Sequence, residues 1–231
     1  MAKKIHKKSS ARRSKPKKSR RSSGGLKKAK MFDVPSYAQS EEFTSSAACA
    51  MMVLKFLNKS FKTKKETEFD IWQEAVNGSV LHGSKYGLAY ALAKRGAKPE
   101  ITSSNTKDEG YERKFAVYDG INLDTLKSSF AEIREKSKAM GIKENHGKVT
   151  IGNIKKKLSS GEIPIVLVNS SAINPYLEAF PHWVVVKGYD NDTFYMNDPY
   201  SDSEQTMESE LFKQALGFEN EFHMVSVKAR R

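Results

Sequence analysis

Gln39 to Asn58 read QSEEFTSSAACAMMVLKFLN, and this stretch decides the fold. It opens with polar and hydroxyl residues and then runs into small and apolar helix formers from Ala47 onward. This pattern predicts a helix that begins with a serine at its N-cap. The later part leaves no polar face, because its residues include Met51, Met52, Val53, Leu54, Phe56 and Leu57. We therefore expect this helix to be the buried centre of the domain.

The rest of the chain predicts helices first and strands last. Apolar spacing and stop signals predict further helices over Glu66 to Val76, Tyr86 to Arg95, Leu123 to Met140 and Ile151 to Leu158. Strands are predicted at Lys98 to Thr102, at Ile163 to Asn169 and in a hairpin from His182 to Asp198. This order predicts an α+β domain over residues 31–231, with an antiparallel sheet packed against the central helix.

The hairpin brings together a histidine and a carboxylate. Its turn sequence, GYDND, is centred near Asp190, which predicts that His182 and Asp198 lie directly opposite each other. Opposed residues have Cβ atoms roughly 4.5 to 5.5 Å apart, so the carboxylate can orient the imidazole. Such a pair is the base and its orienting group in a catalytic triad. A buried histidine paired with an aspartate in the core remains the alternative interpretation.

The missing nucleophile of such a triad belongs at a helix N-terminus, where free backbone N–H groups stabilise a thiolate and an oxyanion. Here the chain resembles the papain-like double-glycine peptidases, which trim bacteriocin leaders, and their free-standing soluble relatives. In that family a Gln is followed after five residues by Cys-Gly-Ala-Ala-Cys, and Gln39 and Ser45 to Cys49 have this spacing.

The resemblance covers most of Met31 to Tyr200, including HGSKYGLAYALAKRG around His82 and the segment KVTIGNIKKKLSSGEIPIVLVN. It implies a papain-like cysteine peptidase fold and a catalytic set made of Gln39, Ser45, His182 and Asp198. In that set Gln39 helps form the oxyanion hole, His182 is the base, and Asp198 of the Asp-Pro pair orients it. It implies no cofactor.

Ser45 departs from the family pattern, because it stands where the resemblance expects the catalytic cysteine, and Ser46 replaces the glycine that follows. A Cys–His site depends on thiolate formation, so a serine at this position predicts lost or weakened hydrolysis. Three explanations stay open: an engineered inactive variant, a natural pseudoenzyme, or an enzyme that uses serine. Cys49, the single cysteine, lies one turn further along and is expected to be a core residue.

The first 30 residues form a basic arm that contains no Asp or Glu. Outside it, 26 basic and 27 acidic residues nearly cancel, so the arm carries the whole net charge of +13. With almost no apolar side chains, the arm is expected to be disordered and to bind nucleic acid or another polyanion. A solubilising or targeting extension and an anionic membrane surface are the alternatives. The candidate contacts are Lys3, Lys4, Lys7, Lys8, Arg12, Arg13, Lys15, Lys17, Lys18, Arg20, Arg21, Lys27, Lys28 and Lys30.

Other classes of protein are excluded by what the sequence lacks. It shows no apolar run of membrane-spanning length, no signal-like segment, no metal-ligand spacing and no phosphate-binding glycine loop. We therefore expect a cytoplasmic protein, with association to nucleoid, nucleus or ribosome open. The function expected is a peptidase-related domain that binds an extended peptide or protein and is tethered to a polyanion by its arm. The alternative is a nucleic-acid or ribonucleoprotein-associated protein that uses the peptidase fold only as a scaffold.

Overall fold

The structure, a computed structural model, describes residues 30–77, 80–104, 120, 122–201 and 203–229. The helices are α1 (Ser45–Leu57), α2 (Lys65–Val76), α3 (Lys85–Lys94), α4 (Leu123–Ala139), α5 (Ile151–Ser159), α6 (Ser170–Ile173) and α7 (Ser209–Ala215). The strands are β1 (Lys30–Met31), β2 (Pro99–Ser103), β3 (Lys143–His146), β4 (Glu162–Asn169), β5 (Pro181–Asp190), β6 (Thr193–Asp198), β7 (Ser203–Glu208) and β8 (His223–Lys228). The predicted α+β class is confirmed.

All these strands belong to one sheet, in the order β3-β2-β8-β4-β5-β6-β7, with β1 paired to β5. Every pairing is antiparallel except that of β2 with β3, which is parallel. The sheet is buried on both faces at β4, because its alternate residues join two different hydrophobic clusters. Leu167 packs in the cluster that contains α1, whereas Val166 and Val168 pack in the cluster that contains Phe212 of α7.

Helix α1 is the buried centre of the first cluster, as its sequence predicts. Its residues from Ser45 to Leu54 are all buried. It packs against α2, α3 and β5. The residue before its first turn is Thr44, so the prediction of a serine N-cap is wrong by one position. Ser45, the first residue of α1, is buried because the helix that it begins packs in the hydrophobic core.

The predicted hairpin register is wrong. Asp190 pairs with Thr193, so the turn is centred on Asn191 and Asp192, and Asn191 adopts a left-handed backbone with φ of 47°. A bulge between Val186 and Gly188 then shifts the pairing again. Val185 consequently pairs with Asn197, so His182 is not directly opposite Asp198. On the other side of β5, His182 pairs with Val168 of β4.

The basic arm lies outside the described residues except for Lys30. That residue, predicted as the last of the arm, is the first of β1 and pairs with Tyr189. No helix among the described residues is long and apolar enough to cross a membrane. The described residues also contain no cluster of His, Cys, Asp and Glu that could hold a metal ion.

Candidate active site

The ends of three elements meet at the candidate site. Ser45 begins α1, His182 is the second residue of β5, and Asp198 is the last residue of β6. All three are buried, with 2%, 1% and 4% of their surfaces exposed. Gln39 joins them through its backbone, because its N–H donates to the carbonyl of Pro199 at 2.7 Å.

His182 and Asp198 form the predicted pair in spite of the changed register. The imidazole Nε2 lies 2.7 Å from Asp198 Oδ1. The same carboxylate oxygen accepts the backbone N–H of Tyr200 at 2.9 Å, which fixes its orientation. In a neutral imidazole whose Nε2–H donates to this carboxylate, the lone pair lies on Nδ1. That nitrogen is buried and has no hydrogen-bond partner among the described residues.

The hydroxyl of Ser45 is not hydrogen-bonded to this base. Its Oγ accepts the backbone N–H of Trp183 at 3.4 Å, a long contact. A serine nucleophile is activated when its hydroxyl donates to a neighbouring base. In this structure the site therefore holds an oriented imidazole and a hydroxyl that are not coupled to each other.

The side chain of Gln39 is used by its own loop. Its amide nitrogen donates to the carbonyls of Glu41 and Glu42 at 2.9 and 3.0 Å. Its Oε1 is buried without a hydrogen-bond partner among the described residues. An oxyanion bound here would compete with two carbonyls for the amide hydrogens, so the oxyanion role of Gln39 stays a prediction.

Glu68 of α2 fixes the same loop, a role that no sequence pattern indicated. Its carboxylate is fully buried and accepts the backbone N–H of Ser40 at 2.9 Å, the hydroxyl of Ser40 at 2.5 Å and the hydroxyl of Tyr37 at 3.0 Å. Burial first, and then the charge of Glu68, raise the pKa of Tyr37. These hydrogen bonds attach the loop next to Gln39 to α2.

A second histidine lies beside the candidate base. His82 stacks on the ring of Phe180, with centroids 6.0 Å apart and planes 19° apart, and Phe180 meets His182 edge-on at 6.1 Å. Burial, and then the charge of His182, lower the pKa of His82 to about 4. His82 therefore stays neutral near pH 7. His82 belongs to a segment through which the sequence resembles the family, whereas no sequence pattern indicated Phe180.

Cys49 does not supply a reactive thiol. Its side chain is fully buried and its Sγ donates to the carbonyl of Trp183 at 3.2 Å. Burial, and then the charge of Asp198, raise the pKa of this thiol well above its usual value. Because the reactive form is the thiolate, Cys49 is an inert core residue, as expected.

Comparisons with known proteins show the family and the fold. A family model described as the Peptidase_C39 like family matches residues 34–227. A crystal structure of a C39-like peptidase from Bacillus anthracis is similar at 14% identity and a TM-score of 0.50, covering 87% of this chain and 98% of that one.

A double-glycine-motif protease from an AMS/PCAT transporter, solved with a leader peptide, aligns at 15% identity and a TM-score of 0.44, covering 86% and 94% of the two chains. No curated protein sequence matches the chain. The family model spans almost all of the described domain, and this chain belongs to the Peptidase_C39-like family.

Proposed function

We propose that this chain binds an extended peptide in a peptidase-shaped site and has lost efficient hydrolysis. The observation that carries the proposal is the pairing of an oriented His182–Asp198 base with a hydroxyl at position 45 that contacts Trp183 instead of the base. The position of Ser45 is the one that the family resemblance assigns to the nucleophilic cysteine.

The chemistry of oxygen and sulfur explains the expected loss. A cysteine beside a histidine forms a thiolate near neutral pH and then attacks without further help. A serine hydroxyl has a far higher pKa and has to pass its proton to the base during the attack. That step needs a hydrogen bond to His182 Nδ1, which has no partner within the described part of the chain.

The proposal is tested by measuring peptide hydrolysis by wild type and two variants. Wild type, Ser45→Ala and Ser45→Cys are incubated with a library of peptides that contain Gly-Gly, and cleavage is followed by mass spectrometry. We expect no cleavage by wild type or Ser45→Ala, and equal peptide affinity for both in a binding assay. Cleavage by wild type that disappears in Ser45→Ala would mean that the chain is a working serine enzyme.

A second function is favoured by the charge of residues 1–30. This segment carries fourteen Lys or Arg and no acidic residue, and the rest of the chain is almost neutral. We propose that it tethers the domain to nucleic acid, because a phosphate backbone releases condensed counterions when it binds such a cationic chain. A cytoplasmic location near nucleic acid follows from that partner.

The matched test keeps the length of the chain. The thirteen Lys and Arg residues before Lys30 are changed to Gln, and Lys30 is kept because it pairs with Tyr189. We expect wild type to bind a DNA duplex with an affinity that falls steeply with salt, and the variant to lose this binding. Binding that survives the substitution would place the polyanion site on the domain, and binding only to anionic vesicles would favour a membrane surface.

Measuring nucleic-acid binding and peptide reactivity side by side distinguishes the two proposed functions. If the arm binds nucleic acid and Ser45→Cys neither cleaves nor reacts with any peptide, the fold serves as a scaffold and the peptide-binding proposal fails. If the variant with the thirteen Lys and Arg residues changed to Gln still binds peptide, the domain binds peptide independently of the arm.

A further inference from the structure

Phe180 is the last residue of the segment Ser170–Phe180, which connects β4 to β5, and its ring lies against the candidate base His182. His182 and Ser45 are almost completely buried, although a peptide would have to reach both. Phe180 lies between His182 and His82, in contact with each ring. It is only partly buried itself, so its ring forms the outer layer over His182.

The base of this segment is clamped by one serine. Ser170 is fully buried, its backbone N–H donates to the carbonyl of Phe180 at 3.1 Å, and its Oγ accepts the N–H of Phe180 at 2.8 Å. The same hydroxyl donates to the carbonyl of Glu178. These hydrogen bonds hold the backbone of Phe180 in place.

The tip of the segment, residues 174–177, makes no hydrogen bond to described residues outside Ser170–Phe180. Tyr176 is 97% exposed, the most exposed of the large hydrophobic residues that the structure describes. The hydrogen bonds at the tip are local: the Tyr176 N–H donates to the Asn174 side chain, and the Leu177 N–H donates to the Asn174 carbonyl. The segment thus combines an exposed tip with a base that places an aromatic ring on the candidate catalytic histidine.

We propose that Phe180 is the residue that controls access to the candidate site, and that a peptide enters only when Phe180 leaves the position between His82 and His182. This inference rests on the proposed peptide-binding function and adds its regulation. The Phe180 ring is held by two aromatic contacts and by the Ser170 clamp, so weakening either one opens the site.

The test measures access directly, without a natural substrate. Ser45→Cys provides a thiol in the site, and wild type, whose single cysteine is the buried Cys49, provides the background. The rate at which iodoacetamide alkylates the Ser45→Cys protein at position 45 is measured by intact-mass spectrometry. Adding Phe180→Ala is expected to raise this rate at least about fivefold, the factor expected when two aromatic contacts are lost.

Two companion variants keep the test decisive. Tyr176→Ala, in the same segment but away from His182, is the matched control and is expected to leave the rate unchanged. Ser170→Ala removes the clamp and is expected to raise the rate even if Phe180→Ala folds poorly. Equal rates in the Ser45→Cys background with and without Phe180→Ala and Ser170→Ala would overturn the proposal.

A peptide reagent separates this inference from the proposed function. A Gly-Gly vinyl sulfone is applied to the same variants. If Phe180→Ala accelerates alkylation by iodoacetamide but the peptide reagent never reacts, the proposed access control by Phe180 stands and the proposed peptide binding fails. If the peptide reagent reacts equally with the closed and opened variants, peptide binding stands and access control by Phe180 is refuted.

Discussion

Gly83 is predicted to tolerate no side chain as long as Ser46 is a serine. A Cβ added at Gly83 would overlap Ser46 Oγ and would lie 2.8 Å from Ser46 Cβ, with Ala75 Cβ at 3.2 Å. The two closest groups, Oγ and Cβ, both belong to the side chain of Ser46. The Ser46 hydroxyl is buried without a hydrogen-bond partner among the described residues.

The magnitudes follow from these contacts. Gly83→Ala overpacks a buried site and is expected to lower the free energy of unfolding by about 2 to 3 kcal/mol. For a domain of this size that is a fall in Tm of roughly 4 to 12 °C. Ser46→Gly alone is expected to be nearly neutral, since the helix cost of a glycine, about 1 kcal/mol, is offset by removal of a buried hydroxyl that lacks a partner. In the double variant only the Ala75 contact remains, so the coupling free energy is expected to be about 1 to 2 kcal/mol.

The assay is urea unfolding of the four proteins of this double-mutant cycle. Gly87→Ala is the matched control, because its Cβ would overlap the Ala75 carbonyl oxygen and lie 2.5 Å from the carbonyl carbon. Ser46→Gly cannot relieve a clash with the backbone of another helix. A Gly83→Ala variant as stable as wild type, or one that Ser46→Gly fails to rescue, would refute the packing argument.

Three further predictions concern the surroundings of the site. Glu68→Gln is expected to lower the free energy of unfolding by about 1 to 3 kcal/mol, because hydrogen bonds to a buried charged acceptor are weakened, and to lower the raised pKa of Tyr37, which is read by ultraviolet titration. The pKa of His82 is about 4 in the folded protein and about 6.5 in the unfolded chain. As the pH falls, the unfolded chain therefore takes up a proton before the folded protein does, and the free energy of unfolding is expected to fall by about 3 kcal/mol between pH 6.5 and pH 4. The variant His82→Gln should abolish that part of the pH dependence of unfolding. The arm contains a double glycine, Gly24-Gly25, the motif for which the resembling family is named. Gly25 is expected to stay uncut by its own chain in an intact-mass measurement at high dilution. The five residues from Gly25 to Lys30 span at most about 18 Å, whereas Tyr189, the partner of Lys30, lies about 23 Å along β5 from His182.

The sequence predicted those parts of the site that depend on local pattern. The helix at Ser45 follows from a hydroxyl-rich start and an apolar continuation, and the His182–Asp198 contact follows from two residues at the open end of one hairpin. The contact survives the wrong register because diagonal neighbours in a hairpin remain within reach of long side chains. The α+β class was predictable because helical patterns come first in the chain and strand patterns come last.

The remaining features depend on contacts between distant parts of the chain. A bulge at Lys187 and a left-handed Asn191 set the register, and neither is determined by hydrophobic alternation. Phe180 reaches His82 across almost a hundred residues of sequence, and Glu68 holds a loop that begins about thirty residues earlier. Such pairings arise from tertiary packing, which single-sequence patterns do not encode.

The most direct test of the central claim is the reaction of Ser45→Cys with the Gly-Gly vinyl sulfone, with and without His182→Ala. If the chain keeps a peptidase-shaped site that lacks only its thiol, the Ser45→Cys protein gains one covalent adduct at position 45, wild type gains none, and His182→Ala slows the reaction at pH 7. If Ser45→Cys fails to react even with Phe180→Ala present, or reacts at the same rate without His182, the retained catalytic geometry is contradicted.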